Sequence, residues 1–375
     1  MYSKIILLND NTNNDIQYEY KRHIPVHIYN FQNVINVNNK IKNIYGFKEN
    51  LVCTNNLIIP YDVENIFCKS KNNFNYTNIF NKRTYIYRLM KADNMFHFFH
   101  DNILPIIKMI FIDQNILDKD ISKINCDINI IFIYGHNDPG INNERTIKEK
   151  HLQYLRPLTS NKIMFLSEIP NYTLFENIIT GPIKYVSSYL NTYTDVDENK
   201  NIKFMKYIKQ LYYNYYSIQE NKSPNKIIIL SRKNANTRKM INEQLLFDTL
   251  NNNYKNIELL ELSWNSSLYD EMKILNEALI FITPHGAGAT SSFFIPTNST
   301  CLIINPNGFP FNKKYVDSPS QFKLLFTRNN INIIQFMNDH ENDIDLKDDI
   351  KNRDKNYYVN INKINKIVYN ILYTI

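Results

Sequence analysis

From residue 226 onward, apolar runs alternate with apolar residues at helical spacing. Residues 226–230, 257–262, 279–283, 300–305 and 331–336 are short apolar runs of strand length. Residues 240–250 and 268–277 carry helical periodicity, and a short helix is predicted near 288–294. Residues 359–372 predict a terminal helix. Strands that alternate with helices imply right-handed crossovers and a parallel sheet. Ligands on such sheets bind beyond the carboxyl ends of the strands.

The first half is less regular. Residues 1–10 read as a first strand, and 26–29, 57–59 and 85–89 as further short strands. Residues 94–113 read as a loop followed by a helix: Ile103, Ile106, Ile107 and Ile110 share one face, and Pro105 sits in the first turn, where it is tolerated. Residues 128–134 form an apolar run closed by Gly135, His136 and Asn137, which predicts a buried strand and a turn. Residues 147–156 and 204–216 read as helices. The polar stretch 195–225 ends at Ser223-Pro224, and the linker is expected in or before it. The reading is therefore an α/β protein of two domains, 1–215 and 216–375, leaving open whether the terminal helix packs back on the first.

Composition changes this picture little. Hydrophobic residues make up 43% and aromatic residues 13%, which suits a folded chain and excludes a disordered one. Asn, Ile, Lys and Tyr are abundant, as an A+T-rich genome would produce, so Asn runs carry little functional weight. The same bias inflates chance glycosylation sequons at Asn75, Asn171 and Asn298. The net charge of +7 mildly favours an anionic ligand such as a diphosphate. No dense basic patch interleaved with aromatics points to nucleic acid. Cys53, Cys68, Cys126 and Cys301 fit neither a zinc site nor a disulfide framework and read as reduced thiols. The apolar run at the N-terminus is too short for a signal segment, and no run of about 18 apolar residues predicts a membrane span. The chain is expected to be soluble and cytoplasmic.

Three stretches carry candidate chemistry. Pro284-His285-Gly286-Ala287-Gly288-Ala289-Thr290 follows one predicted strand and precedes a helix. The chain has only seven glycines, and two stand here one residue apart. Glycine permits close backbone approach, and a helix opening after the turn offers free N–H groups to a phosphate. His285 and Thr290 could add donors. The same residues also suit a tight turn without a ligand. Ser231, Arg232 and Lys233 end a second strand, with Arg238, Asn242 and Glu243 opening the next helix. Arg232 could grip a diphosphate with its two-pronged guanidinium. Solvated basic residues and an acid favouring the helix dipole are the alternative. Third, residues 96–105 put His97, His100 and Asp101 at the mouth of a helix, where one of them could act as a general base. The alternative is a pair of part-buried loop histidines with Asp101 as an N-cap.

Taken in order, Ser231-Arg232, Arg238, Asn242-Glu243, His285-Gly286-Ala287-Gly288, Phe293-Phe294-Ile295-Pro296 and Ile303-Ile304-Asn305-Pro306 resemble glycosyltransferase family 61. Residues 96–105 resemble the His-x-Phe-His-Asp-x-Leu-Leu-Pro segment of its protein O-mannose β-1,4-N-acetylglucosaminyltransferase branch. The likeness covers roughly residues 90–340. It departs at Ala289-Thr290, where the family often has Leu-Thr. The resemblance implies a GT-B fold, two Rossmann-like domains facing a cleft. It implies an inverting, metal-independent transfer from a UDP-sugar, GlcNAc or xylose, to a hydroxyl of a glycan or glycoprotein, with no cofactor required. The donor would lie on the C-terminal domain against Ser231, Arg232, Lys233, Arg238, Asn242, Glu243 and His285 to Thr290 (Gly286, Ala287, Gly288 and Ala289 between them). The N-terminal, acceptor-side domain would supply His97, His100 and Asp101, with Asp101 or His100 as base. Two Asp-x-Asp strings, Asp195/Asp197 and Asp343/Asp345, lie in polar runs and read as solvated loops, not as metal ligands.

Rival readings remain: a non-catalytic nucleotide-sugar or glycan binding module of the same fold, and another phosphate-binding α/β transferase. A P-loop enzyme lacks its GxxxxGK[ST] string here, and no GxSxG elbow is present.

Overall fold

The computed structural model describes residues 5–7, 27–37, 40–43, 64–65, 78–89, 94–134, 149–165, 168–170, 173–180, 198–263, 265–306, 328–340 and 355–373. The chain divides into two compact units, Met1–Phe204 and Met205–Ile375.

Among the described residues the first unit holds nine strands: β1 (Ile5–Leu7), β2 (His27–Val37), β3 (Lys40–Asn43), β4 (Glu64–Asn65), β5 (Asn78–Phe80), β6 (Thr84–Leu89), β7 (Asn129–Tyr134), β8 (Met164–Phe165) and β9 (Thr173–Thr180). They form one sheet in the order β4-β3-β2-β9-β6-β7-β8, with β1 paired to β2 and β5 to β9. The run β9-β6-β7-β8 is parallel throughout. Antiparallel pairing of β2 with β1, β3 and β9 makes the sheet mixed. The strands expected at 1–10, 26–29, 85–89 and 128–134 are present, the second much longer than expected. The strand expected at 57–59 lies outside the described residues. Strand β9 was not expected, yet it is the hinge between the parallel and antiparallel halves. Its Phe175 and Ile178 bury against Ile86, Ile131 and Ile169.

Helical backbone starts earlier than expected. Residues Met95–Asp113 are helical throughout. Asn94 caps this run, its side chain accepting from the amides of Phe96 and His97. His97 to Asp101 therefore lie inside the helix, and Asp101 is not an N-cap. The turn Phe98–Ile103 is π-helical, with the Leu104 amide bonded five residues back to Phe99. Pro105 explains the widening: it has no N–H to donate to the carbonyl four residues earlier. This helix is also the one described segment long and apolar enough to cross a membrane by length and composition, which the sequence reading did not anticipate. Its residues Leu104 to Phe111 are all buried in the unit, as suits a core helix.

The second unit begins within the helix Glu198–Tyr215, which runs through the polar stretch expected to hold the linker. Among the described residues five strands follow: β10 (Lys226–Ser231), β11 (Ile257–Glu261), β12 (Ala278–Pro284), β13 (Thr300–Asn305) and β14 (Asn332–Met337). All neighbouring pairs are parallel, in the order β11-β10-β12-β13-β14. In order of appearance this is second-first-third-fourth-fifth, a doubly wound arrangement whose strand order reverses between β10 and β12. The residues explain why. Ile227 to Ser231 and all of β13 are buried, as strands covered on both faces must be, whereas the edge strand β14 alternates in exposure. One face packs Ile227, Ile229, Ile280, Ile282, Leu302 and Ile304 against Leu246 and Leu250 of the helix Glu243–Asn253 and Ile364 and Val368 of the helix Ile361–Tyr373. The helix Leu268–Leu275 packs against β12. Cys301 is buried, and burial pushes its thiol up to about 12; Cys126 is also free. Cys53 and Cys68 lie outside the described residues.

A polar clamp ties the first helix of this unit to the loop before β13. Lys209 Nζ donates to Glu220 Oε1 at 2.8 Å and to the Ile295 carbonyl at 2.6 Å. The Thr297 amide and hydroxyl both donate to Glu220 Oε1. Burial would raise the Glu220 carboxyl, but Lys209 and Thr297 outweigh it and hold it at about 2. A carboxyl depressed in the folded state contributes stability above its unfolded value and loses it as pH falls through the folded one. Wild type should therefore melt above Glu220→Gln at pH 6, and the gap should close between about pH 4.5 and about 2. Calorimetry across that range measures it; a gap independent of pH would contradict the assignment.

Candidate functional site

Both donor-side motifs emerge at the carboxyl edge of the second sheet, on either side of the strand-order reversal. Arg232 follows β10 and His285 follows β12. The edge is pinned from within. The Glu243 carboxylate, nearly buried in the first turn of its helix, accepts from Ser231 Oγ at 2.5 Å and from the Arg232 amide at 3.0 Å. This fixes the direction in which the chain leaves β10. Ser231 Oγ also accepts from the Lys233 amide at 3.4 Å, so both side chains spend their polar atoms inside the chain.

The two arginines converge on Gly286. The Arg238 guanidinium donates to the His285 carbonyl at 3.2 Å. Arg232 Nη2 donates to the Thr237 carbonyl at 3.0 Å, inside the loop that joins the two arginines. A Cβ placed on Gly286 would lie 2.8 Å from Arg238 Nη1 and 3.7 Å from Arg232 Nη1. Burial first, and then the neighbouring Arg238 charge, pull the Arg232 guanidinium below its ordinary value. Arg232 Nε is buried without a hydrogen-bond partner among the described residues. The backbone is unusual at two touching points: Gly286 has φ +150° and Arg238 has φ +58°. Strain of this kind is held only where the surroundings fix it.

The two glycines do different work. Gly286 supplies a backbone angle that other residues avoid, and room for the arginines. Gly288 supplies packing: a Cβ there would come within 2.5 Å of Leu230 Cδ2, and Leu230 is buried. After the turn, Ala287–Phe294 is a 3-10 helix with Gly286 at its N-cap. Ala289 and Thr290 are buried, and Thr290 Oγ1 has no partner among the described residues. Asn305, at the carboxyl end of β13, is fully buried and its Oδ1 likewise has no partner among the described residues. Sequence reading placed Asn305 only within a family pattern and gave it no role.

Other expected donor residues sit elsewhere. Lys233 is exposed and reaches Glu261 Oε1 at 2.6 Å, at the end of β11. Asn242 uses both side-chain polar atoms on the backbone of Val359, donating to its carbonyl at 2.9 Å and accepting from its amide at 2.8 Å.

On the first unit, His97 is half-buried and His100 is buried, its ring stacked on Phe96 with centroids 5.1 Å apart. Asn102 Nδ2 donates to the His97 carbonyl at 3.1 Å, across the widened turn. Asp101 lies on the same turn; its side chain is outside the described residues. Among the described residues no group of three or more His, Cys, Asp or Glu gathers to hold a metal ion. Asp195, Asp197, Asp343 and Asp345 lie outside them.

A family model for glycosyltransferase 61 matches residues 95–303. That stretch is more than half of the 375 residues, and it contains both the helical His97–Asp101 turn and the arginine edge. The chain belongs to glycosyltransferase family 61. A search of curated proteins gave no match. Family membership makes the chain a transferase acting on a sugar donor and an acceptor. For a family 61 enzyme built on this sheet, the two glycines give separable outcomes. Gly286→Ala should cost about 1–3 kcal/mol through backbone strain and displace Arg238. Gly288→Ala should cost a similar amount through overpacking against Leu230 and leave the arginines in place. Chemical denaturation reads the stability loss in both; equal loss of anion binding in the two variants would contradict the division.

Proposed function

We propose that the second unit binds a UDP-sugar, with its diphosphate held between Arg232, Arg238 and the Gly286 turn. The observation that carries this reading is the convergence of two guanidiniums on Gly286 at the strand-order reversal. Two cations share a partly buried edge that an anion would neutralise. Thr290 Oγ1 and Asn305 Oδ1, buried and without partners among the described residues, are a hydroxyl and an acceptor consistent with this reading.

The reaction we propose is inverting transfer of GlcNAc or xylose to a hydroxyl of a glycan or glycoprotein. A base removes the proton of the acceptor hydroxyl, and its oxygen attacks the anomeric carbon opposite the departing UDP. The arginines stabilise charge as it builds on the leaving diphosphate, which removes the need for a metal ion. Asp101 or His100 is the base, with His97 beside them on the same helix. The GT-B arrangement, the metal independence and the place within the protein O-mannose β-1,4-N-acetylglucosaminyltransferase branch rest on the family resemblance of residues 96–105 and 226–306. Action inside the cytoplasm belongs to the same proposal.

Thermal shift in the presence of EDTA tests the donor. UDP and UDP-sugars should raise the melting temperature, and Arg232→Ala should abolish the rise; no shift with any uridine nucleotide would sink the proposal. Asp101→Asn and His100→Asn should both keep the UDP shift, and the variant lacking the base should lose transfer by about 100-fold or more. Full transfer in both would remove the pair from the chemistry.

A further inference from the structure

Residues 356–360 lie beyond the stretch matched by the family, yet they are knitted to the loop that carries the arginines. The Lys239 amide donates to Asn356 Oδ1 at 2.9 Å. The Tyr357 amide donates to the Lys239 carbonyl at 3.0 Å, and the Ile241 amide donates to the Tyr357 carbonyl at 2.9 Å. Asn242 grips Val359 from both sides. From the opposite side, Asn338 donates to the Tyr358 carbonyl at 2.6 Å and accepts from the Asn360 amide at 2.9 Å. Every residue from 356 to 360 is therefore tied, and the loop residues tied to it follow Arg238 directly.

Tyr357 closes the circuit. Its side chain is fully buried, and its hydroxyl donates to the Ile304 carbonyl at 3.4 Å. The same carbonyl accepts the His285 amide at 2.8 Å. His285 in turn gives its own carbonyl to Arg238. The ring runs from Arg238 through Lys239 and Ile241 to Tyr357, across to Ile304, on to His285 and back to Arg238.

We propose that residues 356–360 form a strap that completes the anion site, and that Tyr357 is the positioning residue through which the strap aligns Arg238 beside Arg232. This inference rests on the donor-site reading above. Residues 232–242 carry two like charges, tied at Glu243, the Thr237 carbonyl and the His285 carbonyl. With the strap, the loop is held to the tips of β12 and β13, the two strands that carry the Gly286 turn and Asn305.

The test uses the full chain and UDP, with affinity read by calorimetry. Tyr357→Phe keeps the buried ring and removes only the hydroxyl, so UDP should bind about two- to tenfold more weakly. Arg238→Lys and the double variant complete a cycle. If Tyr357 acts through Arg238, the double variant should lose less than the product of the two single losses. A purely structural tyrosine would give losses that multiply, which overturns the proposal, as would unchanged affinity in Tyr357→Phe. Asn338→Ala unhooks the strap on the side away from the arginines and should also weaken UDP; wild-type affinity there counts against the strap. If wild type itself binds no UDP, the donor-site reading falls and the strap proposal with it. If wild type binds and Tyr357→Phe binds equally well, the strap proposal alone falls.

Discussion

The second unit is organised around holding two like charges side by side. Two unit charges about 5 Å apart repel by roughly 3 kcal/mol at an effective dielectric of about 20. Left to themselves, Arg232 and Arg238 would swing outward into water, as long side chains on a loop ordinarily do. Each is instead tethered through a guanidinium nitrogen to a carbonyl, Arg232 to Thr237 and Arg238 to His285. The amide of Arg232 is fixed by Glu243. Arg238 accepts a left-handed backbone to reach its partner. A fold retains such an arrangement when something bound there offsets the repulsion.

The sheet supplies the place. In a doubly wound sheet the loops after the two strands flanking the reversal depart to opposite faces, which leaves a crevice between them. Here those strands are β10 and β12, and the motifs they release are the Ser231-Arg232 pair and the His285–Thr290 turn. Parallel register makes the carboxyl ends of the strands meet at one edge. Fully apolar strand interiors hold that edge still, since Ile227, Ile229, Ile280 and Ile282 are buried to 2% exposure or less. The chemistry at the edge therefore inherits its precision from aliphatic packing below it.

This division explains what could be read in the sequence. The second unit was legible almost element by element, because β10, β12 and β13 carry unbroken apolar runs and the helices between strands show apolar residues at helical spacing. The first unit was harder for reasons particular to its residues. Strand β9 carries Glu176 and Asn177 at its middle, which breaks the apolar run although the strand pairs with β2, β5 and β6. The helix through His97 was hidden because its cap is Asn94, one asparagine among many, and because Pro105 suggested a helix start where the backbone merely widens. Among site residues, sequence order identified the arginines and the turn, whose positions follow from strand ends. It could not say that Lys233 turns to Glu261 or that Asn242 turns to Val359. Tyr357 gave no signal, being one of 27 tyrosines.

The fate of Asn242 and Glu243 bears on how such motifs should be read. Both belong to the ordered pattern that resembles the family, and a first reading gives both to the ligand. In the folded chain Glu243 directs Arg232 and Asn242 anchors residue 359, so each acts one step behind the arginine edge. A pattern of residues around a site records everything needed to hold the site in shape, and polar side chains are as useful for that as for contact. Buried hydrogen bonds to backbone groups are costly to lose, about 1–3 kcal/mol for a group left unpaired. Such partners are therefore as tightly required as the residues that meet the substrate. After this internal pairing, Arg232 Nε, Thr290 Oγ1 and Asn305 Oδ1 are buried atoms without a partner among the described residues.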